Sequence, residues 1–119
     1  MGEEKVLLEF EMDMFGIKGD RIPREYYTLT NERIKIRKQG LLTKELNDIE
    51  LFKIKDTSVK QKMTDKVRNV GDIEIISADE SDPVIVLKKV KDPHEVREKI
   101  RRAVKEAKEK AGVTYRYDL

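Results

Sequence analysis

Arg33, Lys35 and Arg37 recur at every second position of "TNERIKIRKQG", and Lys18, Arg21 and Arg24 precede them in "FGIKGDRIPR". At a spacing of two, side chains on a strand share one face, so the later three bases form a row that could hold an anionic group. The plainer reading is a solvated strand face, partly neutralised by Glu9, Glu11 and Asp13. "ADESD" at Ala78–Asp82 groups carboxylates but lacks the alternating ligands and central glycine of a calcium loop. His94 is the sole histidine and the chain contains no cysteine, so a His/Cys metal site cannot be assembled. Asp92 and Glu95 form a second acidic pair, for which helix capping is sufficient explanation. Tyr26, Tyr27, Tyr115 and Tyr117 are too scattered for a base-stacking platform, and a glycine-rich phosphate loop is absent. The residues point away from catalysis, metal, cofactor and nucleic acid.

Charge supports that exclusion. Charged residues make up 42% of the 119 residues, yet the net charge is only +2, too small for a field that gathers nucleic acid. Residues 1–15 carry five acids and one base, whereas 16–44 carry eight bases and three acids, so the positive excess surrounds the candidate row. Without cysteine, and without an apolar run near the ~18–20 residues that cross a bilayer, a soluble cytoplasmic domain is expected. The acidic "MGEEKVLLEFEMDMFG" does not read as a signal peptide.

The elements that would position these residues are mostly strands. In "YYTLTNERIKIR" a two-residue loop at Asn31-Glu32 sets Leu29 across from Ile34 and Tyr27 across from Ile36, one coherent apolar face. Thr28 and Tyr26 then oppose Lys35 and Arg37 on the other face, with Tyr26 placed for a cation–π contact. Asn31 would supply the left-handed backbone of a tight hairpin turn. "LLTKELNDIEL" returns as the next strand, and "IKDTSVKQ", "DIEIIS" and "PVIVLKKV" supply three more. "KMTDKVRNVG" reads as a loop with about one helical turn. Leu8, Phe10, Met12 and Met14 alternate like a strand, while Val6, Leu7, Phe10 and Met14 also suit a helix, and both remain open. Counted as a strand, this first segment brings the total to seven.

One long helix is expected from Pro93 to about Ala111, capped by Asp92 and ended by Gly112, with Val96, Ile100, Ala103, Val104, Ala107 and Ala111 on one stripe. Tyr27, Leu29, Ile34, Ile36, Ile49, Leu51, Ile73, Ile75, Val96 and Ile100 form the expected core. The domain therefore spans 1–112, and 113–119 is a tail in which Tyr115 and Tyr117 alternate, suited to join a partner's sheet edge.

"YYTLTNERIKIRKQGLL", "IELFKIKDTSV", "VGDIEI" and "DPHEVREKI", in that order, resemble the bacterial pleckstrin-homology (PH)-like family over about Arg24 to Ala111. The resemblance implies a mainly β fold, a seven-stranded antiparallel barrel or sandwich capped by a C-terminal amphipathic helix, and a binding or scaffolding role without catalytic residues. Several members of that group carry membrane-spanning helices ahead of the threonine-asparagine stretch, which this chain lacks. Phosphoinositide-reading PH domains place a Lys, a variable gap and a Lys/Arg-x-Arg on their first strands. Lys35-Ile36-Arg37 matches the last part only, because Lys18 lies a strand further upstream. Two uses follow as expectations: contact with a protein partner or with another copy in a homo-oligomer, or weak attraction to an anionic membrane through the basic face.

Overall fold

The computed structural model describes residues 3–13, 23–78 and 83–117. Among these residues seven antiparallel strands form two sheets: β1 (Val6–Glu11), β2 (Arg24–Thr30), β3 (Arg33–Gln39) and β4 (Lys44–Glu50) in one, β5 (Ile54–Lys60), β6 (Val70–Ser77) and β7 (Val84–Lys91) in the other. Both follow chain order, so each is a meander. Helix α1 (Met63–Arg68) joins β5 to β6, a single 3₁₀ turn (Leu51–Lys53) joins β4 to β5, and α2 (Pro93–Tyr117) follows β7. This is the PH-like architecture expected from the strand count and terminal helix.

The β2–β3 register is the one the alternation demands, with Tyr27 paired to Ile36 and Leu29 to Ile34. All ten expected core residues are buried, joined by Met12, Ile54, Val70, Leu87, Val90, Ala103 and Val104. Residues 6–11 are strand, which settles the question left by the N-terminal periodicity. Met12 then leaves β1 to bridge Val90 of β7, and Asp13 N–H donates to the Lys89 carbonyl at 2.8 Å. The first and last strands thereby join the two sheets along one side.

Several local expectations are corrected. Among the described residues positive φ occurs only at Asn69, Lys89 and Asp92 outside glycine, so Asn31 is not left-handed. The β2–β3 turn is instead held by the Thr30 hydroxyl, which accepts the N–H groups of Glu32 at 3.0 Å and Arg33 at 2.9 Å. Asn31 is used outward, its side-chain oxygen accepting the Lys5 N–H. Asp92 is not a side-chain cap either: its φ is 49°, its N–H donates to the Asn69 carbonyl, and its carboxylate accepts the Asn69 amide. Asn69, itself left-handed at φ 53°, ends α1, so the chain enters α2 through a lock between two left-handed residues. α1 is longer than one turn. α2 passes through Gly112, since one glycine inside a helix costs only about 1 kcal/mol relative to alanine. The segment expected as a tail, from residue 113, is thus helical as far as Tyr117, Tyr115 included.

A bulge shapes β7. Gly71 pairs with Val90 and Ile73 with Leu87, leaving two residues of β7 against Asp72 alone. Lys89 takes φ 50° there, and its N–H donates to the Asp72 carboxylate at 3.0 Å. Lys88 N–H points instead to the buried Tyr27 hydroxyl, which accepts it at 2.8 Å and donates to Glu25 at 2.8 Å. Tyr27 thus ties the two sheets together from inside.

Candidate functional site

The outer face of the first sheet carries the candidate bases, and cross-strand register fixes their neighbours. Arg37 sits between Tyr26 of β2 and Leu46 of β4, Lys35 between Thr28 and Asp48, and Arg33 opposite Glu50. On β1, Glu11 pairs with Tyr26 and Glu9 with Thr28. The row of bases is therefore flanked by acids on both sides, over a shallow concavity of about 770 Å³.

Arg33 is already occupied. Its Nε and Nη2 each donate to the Glu4 carboxylate at 2.8 Å, and Nη1 donates to Asp48 at 3.1 Å. This two-pronged fit is the strongest form of the Arg–carboxylate contact. Glu4 also accepts the Thr30 hydroxyl at 2.8 Å. The hydrogen bonds from Arg33 and then Thr30 hold the Glu4 carboxyl down at about 2, and Arg33 is pushed up in turn. Arg37 lies over the Tyr26 ring at 4.4 Å, the cation–π contact foreseen from spacing. Of the row, Lys35 is exposed beside Asp48. Arg24 is exposed at the start of β2, opposite Gln39 and remote from Arg33. Lys18 and Arg21 lie outside the described residues, as does most of the "ADESD" loop. Of the four described bases, Arg33, Lys35 and Arg37 line the one concavity and Arg24 does not.

His94 contacts the Gln61 side chain at 3.2 Å, and Gln61 donates to the Val70 carbonyl at 3.0 Å, so the histidine belongs to the junction at the start of α2. Among the described residues no group of three or more His, Asp or Glu is placed to hold a metal. A groove of about 860 Å³ runs between α2 and β5, but both edge groups of Thr57 are covered there. Asp56 accepts the Thr57 N–H at 2.8 Å, and Arg97 donates to its carbonyl at 3.1 Å.

The β3–β4 hairpin forms as the returning strand implies, but its exposed apolar residues are not among the sequence-based site candidates. Gly40 N–H donates to the Thr43 carbonyl at 2.9 Å, which closes a four-residue turn with Leu41 and Leu42 at its tip, 75% and 96% exposed. From there Lys44 to Asp48 is exposed on both faces of the strand, including Leu46 at 67%. The signal was available. Ile49 and Leu51 point inward at odd positions, so Leu46 must point outward, and two leucines in a tight turn lack the usual turn chemistry.

Comparison with family models decides the lineage: the model described as Bacterial PH domain matches residues 24–104, more than half of the chain. The chain belongs to the bacterial PH domain family. Neither the curated proteins nor the solved structures yield a match. The matched span of this PH domain runs from the first residue of β2 into α2, and so includes the hairpin but not β1. No described helix is long and apolar enough to cross a membrane.

Proposed function

We propose that this PH domain is a non-catalytic binding module that makes protein contacts through the open edge of β4. The observation that carries the reading is the exposure of Lys44–Asp48 on both faces, in a strand paired only with β3 among the described residues. Such an edge offers unused amide and carbonyl groups to an incoming strand. Support for a non-catalytic role comes from His94 and Arg33, each already engaged in structural contacts. A photoreactive amino acid in place of Leu46 is expected to form adducts with protein in cells, and one in place of Lys99 on α2 is not. Adduct formation at neither position overturns the reading.

A second reading, contact with an anionic membrane surface, is favoured by the hairpin tip and not by the basic row. Leu41 and Leu42 project from a convex turn, and Arg24, Lys38 and Lys44 at the adjoining strand ends make no ion pair among the described residues. Apolar tips enter the acyl boundary while bases meet the headgroups. Co-sedimentation with phosphatidylserine vesicles tests this, and Leu41→Ser with Leu42→Ser should abolish it. Equal binding by this variant sinks the idea.

A further inference from the structure

We propose that the partner for this edge is a second copy of the same chain, paired β4 to β4 in an antiparallel register centred on Leu46. The inference rests on the reading that β4 is the contact element and adds which strand it receives, and in what phase.

Two backbone bonds set that phase. Gly40 N–H donates to Thr43 O, and Leu51 N–H donates to Glu32 O, both at 2.9 Å. In the antiparallel ladder that contains them, Thr43, Glu45, Asn47 and Ile49 turn their amide and carbonyl groups toward β3. Lys44, Leu46 and Asp48 must turn theirs toward the open side. A two-fold axis at Leu46 sets Leu46 against its own copy and Lys44 against Asp48 of the second copy. Each residue with outward backbone groups then faces another such residue.

The side chains agree with the backbone. On the outer face an apolar pair lies between two pairs of opposite charge, and a self-complementary patch is what a two-fold interface requires. On the other face Glu45 meets Asn47 of the second copy, and these two types already hydrogen-bond at 2.8 Å within one chain. Neighbouring phases fit worse. An axis at Glu45 sets like carboxylates against each other, and an axis at Asn47 sets Asp48 against Leu46. Charged residues on an edge normally discourage pairing; in the Leu46 phase the same charges select it. The first sheets of the two copies become one continuous sheet, and the row Tyr26, Arg37, Leu46 continues into its two-fold-related copy.

An edge-to-edge contact of this length buries less than the ~1,200–2,000 Å² of a standard interface, so dimerisation should depend on concentration. Light scattering should show the mass rising from one chain toward two. Leu46→Pro should hold it at one, since only an outward N–H is lost and the β3 ladder stays intact. The natural chain has no cysteine, so introduced ones report alone. A hydrogen-bonded antiparallel pair spans ~5.5 Å between Cα atoms, within disulfide reach. Under mild oxidation Leu46→Cys should cross-link with itself, while Lys44→Cys and Asp48→Cys should do so chiefly when mixed. Lys44→Asp or Asp48→Lys alone should weaken the dimer, and the double exchange should restore it. Equal self-linking by Lys44→Cys, or no rescue by the double exchange, overturns the register. A single-chain mass at every concentration overturns the second copy as partner, while photo-adducts at position 46 with a different protein would leave β4 as the contact element.

Discussion

The Glu4 carboxylate receives two hydrogen bonds from Arg33 and one from Thr30, which fastens the segment ahead of β1 across the β2–β3 turn. Its carboxyl is lowered from 4.5 to about 2, first by the Arg33 hydrogen bond. A lowered carboxyl stabilises the fold fully above its unfolded value and loses that contribution as pH falls through the folded one. The stability difference between wild type and Glu4→Gln in urea should therefore be constant above about pH 5 and shrink toward pH 2. Tyr27 titrates in the opposite sense. Burial, with the Glu25 carboxylate adding to it, raises the phenol above its usual 10. The native state keeps a proton that the unfolded chain gives up, so stability is full below about pH 10 and falls as pH rises beyond. Tyr27→Phe should flatten that alkaline limb in a pH series of melts. It should also cost about 1–3 kcal/mol at neutral pH, because the Lys88 N–H loses its acceptor.

At the junction of α1, β7 and α2, residue pattern misled where backbone geometry decides. Asp-Pro ahead of an apolar stripe is a strong helix-start signal, and α2 does begin at Pro93. Yet Asp92 spends its carboxylate on Asn69, a pairing between residues far apart in sequence that local reading cannot reveal. A double-mutant cycle of Asn69→Ala and Asp92→Ala should show coupling of about 0.5–1.5 kcal/mol by denaturant unfolding; additive losses would restore the capping explanation. The β2–β3 strands were legible because period-two alternation and a two-residue loop leave one consistent register. The β3–β4 hairpin was partly legible: its strand was foreseen, but its exposed Leu46 required the register to be carried one strand further. At the C-terminal end Gly112 reads as a stop, yet α2 continues through it to Tyr117, because an interior glycine weakens a helix without ending it.

For the whole molecule, charge is distributed so that the basic row is largely cancelled in place by Glu4, Glu9, Glu11, Asp48 and Glu50. Spacing alone disclosed the row, but its neutralisation depends on which strands lie beside β3. Replacing Lys35 and Arg37 by Gln should leave both the melting temperature and vesicle binding at physiological salt close to wild type, as vesicle co-sedimentation and calorimetry would show. The closure at Met12 and Val90 has a different consequence. The hairpins each form from neighbouring segments, whereas this contact joins the two ends of the sheet order and must wait until most of the chain between them is in place. It is therefore expected to form on the late side of the folding barrier. Met12→Ala should thus leave the refolding rate in stopped-flow measurements nearly unchanged and accelerate unfolding, so the seam between β1 and β7 governs how long a folded molecule lasts rather than how quickly one is made.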